Sequence, residues 1–147
     1  MIDKTEFIHS FDPFVVRRRV KWGDCDPAGV VYTVRFIDYL VSAISLFHEH
    51  LFNEIPADYR KNLGIQTPCK SLSMVFNTAL WPNEFFDMQV NIGDIRERSY
   101  DVRVESFNLS GKSVFNGVFS PICIPLTERK SVPIPTCYRA ILEKNKG

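Results

Sequence analysis

The chain has 147 residues, with 18 basic against 17 acidic side chains and a formal net charge of +1. That length fits one domain spanning residues 1–147 and burying roughly two-thirds of its unfolded surface. The near-neutral balance excludes whole-chain attraction to nucleic acid or to an anionic membrane, so any anionic ligand has to be held locally.

The opening Met1-Ile2-Asp3-Lys4-Thr5-Glu6 has neither the basic start nor the apolar centre of a signal peptide, and the apolar run from Val30 to Phe52 is broken by Arg35, Asp38, His48 and Glu49. A cytoplasmic protein with no membrane partner is expected. Cys25, Cys69, Cys123 and Cys137 are widely spaced and form no Cys-x-x-Cys pair. They read as free thiols rather than as zinc ligands or a disulfide framework.

In chain order, Phe14 to Trp22 places apolar residues at 14, 16, 20 and 22, which predicts a strand with one wet face. The run Arg17-Arg18-Arg19 on it reads as a solvated face or edge protection. Next comes Trp22-Gly23-Asp24-Cys25-Asp26-Pro27-Ala28-Gly29, a stretch with two carboxylates, two glycines and a proline. Pro27 fixes its own φ and biases Asp26 toward extended backbone, while Gly23 and Gly29 can take conformations closed to other residues. The turn is therefore rigid. Asp26 is set to cap or face the start of the following helix, whose first N–H groups lack internal partners and carry partial positive charge. Asp24 reads as a tie within the loop, and Cys25 as a small buried support without a neighbouring His to activate it.

From Arg35 onward, Arg35, Asp38, Ser42, Ser45 and Glu49 recur at three- and four-residue intervals among apolar residues, which predicts a long helix with one thin wet stripe. His48-Glu49-His50 at its end has a spacing that turns the two imidazoles to different faces, so a solvated helix end is expected and no metal site. Asn53 to Gly64 reads as a connection with one helical turn at Ala57 to Lys61. Strands are then expected within Gln66 to Leu80, around Met88, Val90 and Ile92, and around Tyr100, Val102 and Val104. Asn108-Leu109-Ser110-Gly111 predicts a hairpin turn, and Lys112 to Leu126 a central strand. Pro133-Ile134-Pro135 stops the sheet, and Thr136 is placed to cap a last helix from Cys137 to Lys144. This order alone says α+β.

The segment Val20 to Tyr32, and above all its core Gly-Asp-Cys-Asp-Pro-Ala-Gly, resembles the signature of the 4-hydroxybenzoyl-CoA thioesterase family of hot-dog-fold proteins. The resemblance implies an antiparallel sheet of about five strands wrapped around one long central helix. It implies a cofactor-free acyl-CoA thioesterase that assembles as a dimer or a homotetramer. It gives the chemistry to Asp26, as nucleophile or general base, and the polarising of the thioester carbonyl to the backbone N–H of Thr33. Tyr32 and Gly29 are the expected neighbouring contacts to the oxyanion and substrate.

Elementary chemistry agrees. Thioester hydrolysis needs a group that brings oxygen to the acyl carbon and donors for the oxyanion that forms, and a helix start offers such donors already oriented. Two alternatives stand beside it: a thioesterase acting on an acyl carrier protein, and a hot-dog protein that binds acyl-CoA without turning it over. A hydratase would call for a His beside the carboxylate, and His9, His48 and His50 all lie outside the motif. The chain departs from the family pattern at Thr33-Val34-Arg35, where Tyr-Pro-Asn is common, and at Val41, where an acidic residue is common.

Overall fold

A computed structural model describes residues 4–147. In chain order the elements are β1 (Glu6–Phe11), β2 (Phe14–Arg19), a short 3-10 turn (Trp22–Asp24), α1 (Thr33–Phe52), α2 (Pro56–Asn62), β3 (Ile65–Gln66), β4 (Cys69–Phe76), β5 (Phe85–Ile95), β6 (Tyr100–Asn108), β7 (Ser113–Pro121), β8 (Ile124–Pro125) and α3 (Thr136–Lys144). Six strands form one antiparallel sheet in the order β1-β2-β5-β6-β7-β4, and β3 pairs separately with β8. With α1 packing on this sheet, the fold is the α+β hot-dog arrangement.

The sheet has one strand more than the five or so expected. The extra strand is β1, whose Glu-Phe-Ile-His-Ser-Phe sequence lacks a clean alternation and is half-covered along most of its length. It is held by pairing with β2, in a register running from Glu6 opposite Arg18 to Phe11 opposite Phe14. A second difference follows at the end of β2. The strand stops at Arg19 rather than continuing to Trp22, because Val20 leaves the ladder to exchange hydrogen bonds with Glu84 and Asn83 (2.9 and 2.8 Å). Trp22 then sits on the 3-10 turn with 81% of its surface exposed, not on an apolar strand face.

The described residues divide into two compact units. One comprises the chain up to Ile44 with Met74–Val90 and Val104–Gly117; the other comprises Ser45–Ser73, Asn91–Arg103 and Val118–Gly147.

In the first unit, α1 turns Phe36, Tyr39, Leu40 and Ala43 inward, the three- and four-residue spacing that buries one face of a helix. The Phe36 ring lies 5.5 Å from Phe76 and 5.8 Å from Phe115, and Tyr39 lies 5.1 Å from Phe86. Full burial of such side chains contributes about 1.5–3 kcal/mol each. The basic run on β2 is not a solvated face. Because β2 is an inner strand, Arg17 forms a two-pronged pair with Asp87 on β5 (2.7 and 2.9 Å), and Arg18 pairs with Glu6 on β1 (2.9 Å) while its guanidinium lies 4.9 Å over the Tyr39 ring. Ser42 on α1 donates to the same Glu6 (2.6 Å), so three elements meet on one carboxylate. The predicted hairpin turn between β6 and β7 is closed by the Asn108 side chain, which accepts from Ser110 N (3.0 Å) and Lys112 N (2.9 Å).

In the second unit the C-terminal end of α1 meets α2 and α3 through aromatic rings. Phe52 stacks on Tyr59 at 4.3 Å and lies 5.1 Å from Tyr138. Here α3 starts at Thr136 itself, preceded by Pro135, and no side chain caps it. Thr136 is thus the first helical residue and not the cap: Pro135, with its φ fixed, already sets the entry into the helix.

Candidate active site

The turn after β2 is closed almost entirely by its own backbone. Asp26 N donates to Val30 O (2.9 Å), Gly29 N donates to Asp26 O (2.9 Å), and Cys25 and Val31 form an isolated antiparallel bridge. Gly29 sits at φ +85°, a conformation that L side chains rarely adopt, which explains a glycine at this position. Val31 N then donates to Leu80 O (3.0 Å) and anchors the turn to the loop ahead of β5.

The two carboxylates in the turn have opposite environments. Asp24 is buried. One of its oxygens accepts from the Tyr39 hydroxyl (2.7 Å) and from Lys21 N (3.2 Å), and the other lies 3.4 Å from Arg35 Nε. Burial, then the hydrogen bond to Asp24, push the Tyr39 hydroxyl far above its ordinary range, so it remains a donor at any physiological pH. Asp24 is the tie that the sequence suggests, fixing turn, 3-10 segment and helix to one another.

Asp26 is half-exposed. Its Oδ1 accepts from Ala28 N (2.9 Å), and its Oδ2 has no hydrogen-bond partner among the described residues. It caps its own turn and not the helix, an Asx-type arrangement that holds one oxygen and leaves the other available.

Of the remaining predicted positions, Gly29 shares the turn with Asp26, and Tyr32 and Thr33 follow directly at the helix start. The N–H of Tyr32 is already taken: it donates to Asp24 O at 3.3 Å. Thr33 is the exposed first residue of α1, and its N–H has no backbone acceptor among the described residues. Its orientation follows from the helix, whose first N–H groups point out of the N-terminus. Cys25 is half-buried, and desolvation, then the charges of Asp24 and Asp26, raise its thiol pKa. That environment disfavours the thiolate a nucleophile needs. Among the described residues no group of three or more His, Cys, Asp or Glu side chains is placed to hold a metal ion, and no helix is long and apolar enough to cross a membrane.

Residues 20–142 match the model of the thioesterase-like superfamily, and the chain belongs to that superfamily. Among solved structures it is similar to a thioesterase-superfamily protein from Jannaschia sp., at 24% identity and a TM-score of 0.83, covering 100% of this chain and 99% of that one. It is similar also to a 1,4-dihydroxy-2-naphthoyl-CoA thioesterase from Synechocystis, at 21% identity and a TM-score of 0.78, covering 88% of this chain and 94% of the other. A mutant 4-hydroxybenzoyl-CoA thioesterase complexed with 4-hydroxybenzoyl-CoA is 18% identical, with a TM-score of 0.74 over 87% of this chain and 96% of that one. At these identities the likeness carries the fold. No curated protein matches the chain.

Sequence reasoning missed one polar cluster altogether. His48, read as part of a solvated helix end, is 2% exposed. Its Nε2 is 2.8 Å from the Tyr100 hydroxyl, which is 2.6 Å from the Tyr138 hydroxyl, which in turn accepts from Arg60 Nε at 3.3 Å. Burial raises the pKa of both tyrosine hydroxyls and keeps them protonated. The spacing argument did separate His48 from the exposed His50. Nothing local in the sequence marks Arg60, Tyr100 and Tyr138 as partners of His48.

Proposed function

We propose that the protein is an acyl-CoA thioesterase and that Asp26 is its catalytic carboxylate. The observation that carries this reading is the asymmetry of Asp26, with one oxygen held by Ala28 N and the other without a partner, on a turn that leads within a few residues to the unused N–H of Thr33. In hydrolysis the acyl carbon gains an oxygen, either from a water that the carboxylate deprotonates or from the carboxylate itself, in which case water afterwards cleaves the mixed anhydride so formed. The C–S bond then breaks and coenzyme A leaves as its thiol. The Thr33 N–H receives the carbonyl oxygen as it becomes an oxyanion, with Gly29 and the Tyr32 backbone shaping the approach. No cofactor is called for.

The test is thiol release from a panel of aryl and aliphatic acyl-CoA esters, with Asp26→Asn alongside. Hydrolysis should fall by about 10²–10⁴-fold while the ester still binds. Small and equal effects on turnover and binding would sink the assignment. Binding of coenzyme A esters with no release from any of them would favour a carrier-protein substrate or a binding module.

The same proposal includes a homo-oligomer. β4 is an edge strand of the sheet, nearly every residue in it is exposed, and Leu72, Val75 and Phe76 are 36%, 61% and 44% exposed. An uncovered apolar edge invites pairing, and a second copy supplies the cover. Val75→Lys should shift the protein toward monomer in sedimentation velocity; a state unchanged by the substitution would remove β4 from the interface.

A further inference from the structure

The second unit contains a cavity of about 390 Å³ that the proposed hydrolysis does not use. Its walls include Ala57, Arg60 and Lys61 from α2, Ile65 and Pro68, and Leu126, with the polar Gln66 and Thr67 between them and no carboxylate. The size lies within the roughly 300–1,000 Å³ of ordinary ligand pockets, and the walls are mostly apolar, as such pockets are.

Arg60 is the unusual member. Its guanidinium is half-buried, and all its partners are neutral: the hydroxyls of Tyr138 and Tyr100, and the ring of Phe52 at 5.7 Å. Among the described residues no carboxylate pairs with it. The last turn of a helix favours a cation, and that accounts for Lys61, which is exposed. It does not account for a cation set among buried tyrosines. A half-buried charge without a counter-charge is costly, and the tyrosines cannot neutralise it, because burial keeps their hydroxyls protonated.

We propose that this cavity binds a small organic carboxylate with an apolar body, its carboxylate on Arg60 and Lys61 and its body against Ala57, Ile65, Pro68 and Leu126. Both halves of the ligand are required. The charge completes Arg60, as guanidinium–carboxylate geometry allows, and the apolar part fills walls that water wets poorly.

Calorimetric titration of the full chain with octanoate, with 1-octanol and with acetate separates the two requirements. Octanoate should bind saturably and at least tenfold more tightly than octanol, which lacks the charge, or acetate, which lacks the body. Ala57→Leu, a change on the exposed surface of α2 that fills the cavity, should weaken octanoate at least tenfold. Arg60→Gln should bring octanoate down to the level of octanol, and because Arg60 rests on buried tyrosines, Ala57→Leu carries the test if that variant does not fold. Equal affinity for octanoate and octanol, failure of octanoate to bind, or octanoate binding indifferent to Ala57→Leu would each overturn the proposal.

Discussion

Two polar neighbourhoods in this chain are built on opposite plans. In the turn between Asp24 and Thr33, most backbone groups are satisfied by backbone atoms a few residues away, Asp24 is tied by Tyr39 and Arg35, and the side chain of Asp26 keeps an oxygen to spare. In the cluster of His48, Tyr100, Tyr138 and Arg60, each polar side chain is satisfied by another from a distant part of the sequence, and three of the four are buried. The first plan leaves a group free for chemistry at little cost to stability. The second commits the imidazole and both hydroxyls to structure, because a buried donor or acceptor without a partner costs more than the bond itself contributes.

Asp26→Asn is the sharpest way to break that contrast. It should cost about 10²–10⁴-fold in hydrolysis while the urea midpoint stays within experimental error of the parent. If the midpoint falls substantially, Asp26 belongs to the scaffold and the contrast fails. Tyr100→Phe should do the reverse. It removes the hydroxyl shared by His48 and Tyr138 and should cost about 1–3 kcal/mol of stability, seen as a lower urea midpoint with an unchanged slope. A stability equal to the parent's would show the cluster to be dispensable.

Gly29→Ala probes the turn's backbone instead of its side chains. The space around Gly29 is open, but φ +85° strains any residue with a Cβ. A loss of about 1–2 kcal/mol is expected in the same denaturation experiment.

The smallest effect is pH-dependent and tests an intermediate case. Asp101 is half-buried, and the hydrogen bond from Arg96, with help from Ser120, holds its pKa below the ordinary value of 3.8. A carboxylate lowered in the folded state stabilises above its unfolded pKa and loses that contribution as pH falls through the folded value. Asp101→Asn should therefore melt below the parent at neutral pH, and the gap should close as the pH drops beneath 3.8. A gap that persists in acid would assign the loss to packing rather than charge. Arg96 is largely exposed, so the difference should be small.

These contrasts also explain what the sequence could reveal. The turn was legible because its determinants are adjacent: Pro27 and Gly29 restrict the backbone, and Asp24 reads as a tie within the loop, whereas only the resemblance to the thioesterase signature singles out Asp26 for chemistry. The Asn108–Gly111 hairpin was legible for the same reason, with Gly111 at φ +83° and Asn108 closing the turn. The fold class followed from the long helix and the alternation in the later strands. What stayed hidden depended on long-range pairing. β1 exists because β2 pairs with it, Arg17 and Arg18 are paired because β2 is internal, and His48 is buried because Tyr100, more than fifty positions later, arrives to cover it. Trp22 misled because its hydrophobicity continued a pattern whose strand had already ended at Arg19.

Cys25, flanked by Asp24 and Asp26, gives the turn a chemical consequence of its own. Sulfenic acid formation and thiol exchange begin from the thiolate, and here partial burial and two neighbouring negative charges disfavour that species. A sulfur beside the proposed reactive carboxylate is therefore biased toward its less reactive thiol form. Mild peroxide should modify it more slowly than the exposed Cys69 and Cys137, an order that mass spectrometry of the treated protein would check.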